Sequence, residues 1–108
     1  MKRQEFDSLM MILLEKSINL EFKSNLMFSS TIFLTNKADE LFKMVDTPGI
    51  PYDDKSLLEK QLNHIIKKME WELIENKKLE LEAKSIDSEM DRLSKLKNTE
   101  GLEDDNLN

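Results

Sequence analysis

The 108-residue sequence has no cysteine, two glycines and two prolines, and aromatic residues make up 6% of it. Without cysteine there is no disulfide framework and no thiolate metal site, which suits a reducing compartment such as the cytosol or the nucleus. The scarcity of glycine and proline leaves few positions that interrupt regular structure. Together with 35% charged residues, this composition is typical of long helices or coiled coils rather than of a compact enzyme.

The chain also lacks an excess of positive charge and a long apolar run. Its net charge of -6 leaves no surplus of lysine and arginine to neutralise phosphates, so we expect no direct binding to nucleic acid. The longest apolar run, residues 9–14, is too short to cross a bilayer, and no cleavage site typical of a signal peptide follows it. We therefore expect neither a membrane span nor a signal peptide.

Carboxylates are plentiful, but they form no pattern typical of catalysis. None is paired with a serine or a glycine-rich loop, and the single histidine, His64, has no companions at metal-ligand spacing. The sequence predicts a protein without enzymatic activity, cofactor or bound metal.

The breaks in regular structure are concentrated in one stretch, residues 46–54, which reads Asp-Thr-Pro-Gly-Ile-Pro-Tyr-Asp-Asp. Pro48 disfavours the helical conformation at the residue before it, and Gly49 tolerates the positive φ of a sharp reversal. Asp53 or Asp54 is suited to cap a following helix. One helix is expected to end here and another to begin.

This stretch divides the chain into two arms. We predict a helical hairpin over residues 1–97, with arms at about 3–46 and 54–97. The hinge is expected at residues 47–53, with Pro48, Gly49 and Pro51 at the bend. From residue 98 onward the heptad pattern stops and acidic residues and asparagine accumulate, so residues 98–108 are predicted to form a disordered acidic tail.

The first arm carries an unbroken heptad seam. Large apolar residues occupy every d position: Phe6, Leu13, Leu20, Met27, Leu34 and Leu41. This continuous phase favours a single helix of roughly 60 Å. The alternative is a break near Ser29 that gives two shorter helices.

The second arm carries a matching seam at Leu58, Leu62, Ile65, Met69, Leu79, Ala83, Ile86, Met90 and Leu93. Glu72 and Asn76 interrupt it, and polar residues at such positions fix register at a cost in stability. Folding at the hinge places the interruption opposite the polar residues 24–31 of the first arm, so the two irregularities should share one polar layer. The alternative is that the chain leaves the seam locally at Glu72.

Off the seam, the first arm is apolar nearly all round, and such a helix is usually buried. Because one antiparallel neighbour covers a single side, we expect an all-α fold: an antiparallel hairpin or coiled coil that completes a helical bundle with a partner chain. The partner is either a second copy or another helical protein.

The candidate partner interface combines the two seams with an apolar stripe on the second arm. Its members are Leu13, Leu20, Met27, Leu34, Leu41, Leu62, Ile65, Met69, Trp71, Ile74, Leu79 and Ile86. Trp71 lies off the seam on a charged helix, where an exposed tryptophan is either an interface anchor or an ordinary surface residue.

One short segment resembles a known family. Val45-Asp46, then Pro48-Gly49-Ile50, and a charged coiled-coil helix after them, are similar to the corner of the small coiled-coil subunits of the Mediator middle module, chiefly subunit twenty-one and more loosely subunit nine. The resemblance implies a nuclear, non-enzymatic subunit that intertwines with another Mediator subunit, the seventh, as a hetero-oligomer, and that helps to pass regulatory signals to RNA polymerase II.

Helical subunits of kinetochore or vesicle-tethering complexes share the same composition, and such a subunit is the alternative function. The cytoplasm is the alternative to a nuclear location. A prefoldin-like chaperone is disfavoured because residues 47–52 leave no room for β-hairpins. An amphipathic membrane-surface helix is disfavoured by Glu5, Asp7 and Glu15, which flank and interrupt the basic residues near the first apolar run.

The sequence generates one prediction about Trp71. Trp71→Ala should leave helicity unchanged, because the residue lies off both seams, and should weaken partner binding through the loss of an aromatic anchor. Circular dichroism and an affinity measurement with the partner check this, and an unchanged affinity would count against an anchoring role.

Overall fold

The computed structural model describes residues 1–103 and contains two long helices, α1 (Arg3–Val45) and α2 (Tyr52–Glu100). The predicted all-α helical hairpin is confirmed. Residues 24–31 lie within α1 without a break, so the single-helix interpretation of the first arm is confirmed and the break near Ser29 is excluded. Continuity of the apolar phase outweighs the low helix propensity of the serines in this stretch.

The chain divides into two compact units. The corner unit is Ser24–Lys77 and contains the turn between the helices. The terminal unit combines Met1–Lys23 with the chain from Lys78 onward. In each unit, one segment of α1 and one segment of α2 supply the packing surfaces.

In the corner unit, the chain reverses over the residues between Val45 and Tyr52. The Thr47 amide donates to the Met44 carbonyl at 3.3 Å, and the Thr47 hydroxyl donates to the Lys43 carbonyl at 2.8 Å. Gly49 has a φ of 85°, in the left-handed region that side-chain-bearing residues avoid. The predicted bend at Pro48, Gly49 and Pro51 therefore lies between the two helices.

The start of α2 corrects the predicted cap. The Pro51 carbonyl accepts the Lys55 amide at 3.0 Å, so the helix begins at Tyr52 rather than at residue 54. Pro51 is then the N-cap residue, and because an amide at this position has no partner within the helix, proline loses no hydrogen bond there. Asp53 and Asp54 lie in the first turn, where their negative charge is favoured by the helix dipole.

The core of the corner unit follows the two seams. Ala38, Leu41 and Leu62 form a buried cluster, and partly buried apolar residues pack against it: Leu58, Ile65, Ile66 and Met69. Five of these residues occupy the predicted seam positions, and Ala38 lies at an a position of the same heptad repeat. The exception, Ile66, extends the core to one side of the seam.

The terminal unit buries Phe6, Leu20 and Leu93, and Leu93 has no exposed surface. The Lys97 ammonium lies 5.4 Å from the centre of the Phe6 ring, in a cation–π arrangement. The residues before α1 also pair with the residues after α2, since Lys2 and Glu103 form an isolated parallel bridge. The Arg3 amide donates to the Glu103 carbonyl at 2.9 Å.

An exposed ion pair lies on α2 in the terminal unit. Arg92 donates hydrogen bonds to Glu89, the shortest at 2.5 Å. This hydrogen bond lowers the pKa of Glu89 and raises the pKa of Arg92. Since both side chains are solvated, the pair contributes little to the free energy of unfolding.

The second helix extends beyond its expected end. It runs to Glu100, and Gly101 closes it with a φ of 73° and an amide that donates to the Lys97 carbonyl at 3.0 Å. Residues 98–100, predicted as the start of a disordered tail, are therefore helical, because the chain caps the helix at its second glycine. Residues 104–108 of the predicted tail lie outside the described residues.

Neither helix, over residues 1–103, contains a segment apolar and long enough to cross a membrane.

The corner generates a prediction about Gly49. Gly49→Ala should lower the free energy of unfolding by about 1–2 kcal/mol, because alanine resists a positive φ. The cost is conformational, since an added Cβ at Gly49 meets no atom within 4 Å. Urea unfolding followed by circular dichroism measures it.

Gly49→Asn is the matched control, because asparagine tolerates the left-handed region better than alanine. It should lose less stability than Gly49→Ala. Equal unfolding midpoints for the wild type and Gly49→Ala would contradict the positive φ at this position.

Candidate partner-binding surface

A buried carboxylate interrupts the apolar core of the corner unit. Glu72 is 4% exposed, and its two oxygens accept hydrogen bonds from hydroxyl groups on α1. Ser30 Oγ donates to Oε1 at 2.5 Å, and Thr31 Oγ1 donates to Oε2 at 2.8 Å. The predicted polar layer between Glu72 and residues 24–31 is confirmed, and Glu72 does not leave the seam.

The Thr31 hydroxyl has two acceptors within reach. It lies 2.9 Å from the Met27 carbonyl as well as 2.8 Å from Glu72. A hydroxyl has one proton to donate, so these two hydrogen bonds compete. The carboxylate is the stronger acceptor. If Glu72 is removed, Thr31 keeps the Met27 carbonyl as a partner.

A groove opens beside this polar layer. Its volume is about 390 Å³, and we refer to it as the Glu72 groove. Its lining residues are Thr31, Ile66, Met69, Glu70, Glu72, Leu73 and Asn76. Asn76, the second polar residue of the seam interruption, is exposed on this groove rather than buried with Glu72.

Large apolar side chains are uncovered on the outer side of α1 in the corner unit. Phe28 and Phe33 are each 67% exposed, and Leu26 and Ile32 are exposed as well. These four residues lie in a stretch, residues 24–36, that contains no charged side chain. We call Leu26, Phe28, Ile32 and Phe33 the α1 apolar face.

The terminal unit has an exposed apolar surface of its own. On its segment of α1, the exposed large apolar residues are Leu9, Met11, Ile12, Leu14, Ile18 and Phe22. Each unit therefore leaves apolar side chains of α1 in water.

The predicted interface residues divide into two groups. Ten seam residues are buried or partly buried against the chain's own helices: Leu13, Leu20, Met27, Leu34, Leu41, Leu62, Ile65, Met69, Leu79 and Ile86. Trp71 is 57% exposed, and Ile74 is also exposed. Because the hairpin itself covers the seam, the surface available to a partner lies off the seam.

Sequence reasoning noted the apolar residues around α1 but placed the interface on the seam. The heptad pattern identifies which residues pack between two helices. It does not distinguish a partner helix from the second arm of the same chain. The sequence feature that could have located the α1 apolar face is the group of off-seam apolar residues within residues 24–36, which contain no charged side chain.

The remaining grooves are more polar. One groove of the terminal unit is lined by Lys16, Lys23 and Glu82 among others, so side chains of both signs line it. His64 lies in a groove of the corner unit with Lys37 and Lys60. Among residues 1–103, no group of three or more His, Asp or Glu side chains is arranged to hold a metal ion.

Comparison with protein-family models, with curated proteins and with solved structures gives no match. The geometry defines a class, an all-α helical hairpin with coiled-coil packing, whose chain carries an uncovered apolar face.

The polar layer generates a prediction about stability. The double variant Ser30→Ala/Thr31→Val should lower the free energy of unfolding by about 1–3 kcal/mol, because it leaves a buried carboxylate without donors. Glu72→Leu should change it much less, because Thr31 keeps the Met27 carbonyl and an apolar side chain suits the seam.

A double-mutant cycle by urea unfolding measures the coupling. The triple variant Ser30→Ala/Thr31→Val/Glu72→Leu should regain most of the stability lost in the double variant. Additive effects of the two sets of substitutions would show that the hydroxyls and the carboxylate do not interact.

Proposed function

We propose that the protein is a non-enzymatic assembly subunit, whose hairpin completes a larger helical bundle by packing the α1 apolar face against helices of a partner protein. The observation that carries the proposal is the charge-free stretch, residues 24–36, with Leu26, Phe28, Ile32 and Phe33 exposed on one helix. Soluble monomers rarely expose a contiguous apolar patch larger than a few hundred Å².

The energetics of burial support a partner for this face. Full burial of a leucine, isoleucine or phenylalanine side chain is worth about 1.5–3 kcal/mol. The free energy gained on association must exceed the cost of lost rotation and translation, and burial of four such side chains supplies a large contribution. Solvated charges would have to be stripped of water on docking, which favours a stretch without charged side chains as the docking surface.

The parent assembly that we propose is a Mediator-like transcription coactivator in the nucleus. The support is the corner, where Val45, Asp46, Pro48, Gly49 and Ile50 match the pattern of the small middle-module subunits. The corner positions the two arms, and the function would be carried by packing rather than by chemistry. The partner in that assembly would be the seventh subunit.

Purification from the native cells tests the proposal. The chain is tagged after residue 108, isolated at moderate salt, and its partners are identified by mass spectrometry. Recovery of Mediator subunits supports the coactivator assignment. Recovery of kinetochore or vesicle-tethering proteins would reassign the parent complex, and recovery of the tagged chain alone would contradict an assembly with another protein.

The α1 apolar face generates a variant prediction. Phe33→Asp should leave the helicity of the isolated chain unchanged, because the side chain is exposed, and should lower the recovery of partners about tenfold or more, because a charge would be buried at the interface. Quantitative mass spectrometry of the purified complex measures the recovery.

Asn63→Asp is the matched control. Asn63 is exposed in the same unit, on the charged helix α2, and the substitution adds the same charge without removing apolar surface. Partner recovery should match the wild type. An equal loss in both variants would mean that added negative charge, rather than the lost apolar contact, is responsible.

A further inference from the structure

The Glu72 carboxylate is surrounded by neutral donors. Ser30 and Thr31 each donate one hydroxyl hydrogen bond to it, and the groove beside it is lined by a second glutamate, Glu70. Among the described lining residues there is no lysine, arginine or histidine. Buried carboxylates are usually paired with a cation, and the described lining of this groove supplies none to Glu72.

The hydrogen-bonding capacity of Glu72 is half used. Two carboxylate oxygens offer about four lone-pair sites, and the two hydroxyls occupy one on each oxygen. One acceptor site therefore remains on each oxygen. Two parallel donors at this spacing are what an arginine guanidinium provides, in the bidentate arrangement that it forms with carboxylates.

The walls of the groove suit the remainder of an arginine side chain. Ile66, Met69 and Leu73 present apolar surface that matches its methylene stem. Asn76 and Glu70 line the same groove and offer further oxygen acceptors for the other guanidinium hydrogens. The volume of about 390 Å³ is within the range typical of small-ligand pockets.

We propose that the Glu72 groove is a binding site for an arginine side chain, which a helix of the partner protein inserts to form a bidentate ion pair with Glu72. This inference rests on the proposed function for the existence of the partner. The site has an energetic advantage because folding of the hairpin has already removed Glu72 from water. The remaining cost of binding is the desolvation of the incoming cation, and the attraction between the cation and the carboxylate offsets this cost.

The arginine is expected from another protein rather than from a second copy of this chain. The sequence contains two arginines, Arg3 and Arg92. The Arg92 side chain is held by Glu89 on its own helix, and Arg3 adjoins the paired ends of the chain. Self-association driven by either residue is an outcome that the test detects.

The first experiment uses n-butylguanidinium as a probe of the isolated chain. Chemical shifts of the Ile66, Met69 and Leu73 methyl groups are followed by NMR during titration, with 1-butanol as the neutral probe of equal stem length. We expect saturable shifts at these methyls, with a Kd of about 1–10 mM for a ligand of this size. For 1-butanol we expect binding about tenfold weaker.

Matched variants show whether the carboxylate is responsible. Glu72→Gln keeps the size of the side chain and removes its charge, and it should weaken n-butylguanidinium binding about tenfold. Glu70→Gln is the control at the rim and should have a smaller effect. Leu73→Ala, at an exposed position where folding is unaffected, should also weaken the probe and covers the case in which Glu72→Gln alters the fold.

Three results would overturn the proposal. They are the absence of shifts at these methyls up to about 100 mM probe, equal binding of the two probes, and equal binding to the wild type and a folded Glu72→Gln chain. A change in sedimentation with chain concentration that Arg3→Ala or Arg92→Ala abolishes would assign the site to a second copy, and would overturn the assignment to another protein.

The two proposals fail separately. Selective probe binding without recovered partners would leave the arginine site standing and remove the assembly function. Recovery of the same partners at the same level with Glu72→Gln as with the wild type would leave the assembly function standing and remove the arginine contact.

Discussion

A helix with a single neighbour can bury one side, and this limit governs both compact units of the chain. In the corner unit, the seam of α1 faces α2, and Leu34, Ala38 and Leu41 are buried. Phe28 and Phe33 are just as apolar, yet each is 67% exposed. The apolar surface of α1 is therefore larger than one neighbouring helix can bury, and the part that stays exposed is unfavourable in water.

The same seam has a register problem, which the polar layer solves. Leucine and methionine positions a heptad apart are nearly equivalent, so a seam made of them alone permits slippage. Sliding α2 by one heptad toward the corner would bring Glu72 against Lys37 and Ala38 instead of Ser30 and Thr31, so both hydroxyl hydrogen bonds would be lost. The hydrogen bonds from Ser30 and Thr31 therefore stabilise one register against its neighbours.

Periodicity made most of this fold predictable. The heptad phase identified the residues that pack between the helices, and two prolines with a glycine located the corner. The partners of Glu72 followed from counting outward from the corner. The cap at Pro51 and the end of α2 at Glu100 depend on single backbone hydrogen bonds, which leave no periodic trace. The Glu72 groove was not predicted, because the heptad pattern treats Glu72 and Asn76 alike, whereas in the structure Glu72 is buried and Asn76 is exposed.

In the proposed assembly, the two kinds of surface in the corner unit would have complementary roles in recognition. An apolar face such as that of Phe28 and Phe33 supplies free energy but discriminates weakly, because many amphipathic helices present a similar surface. A carboxylate at the side of an apolar groove discriminates strongly. A partner with an apolar group at this place would leave the carboxylate unpaired, and a partner with an acidic group would be repelled by it. Glu72 thus favours one register within the chain, and in the proposed assembly the same side chain would limit which helices can pack beside it.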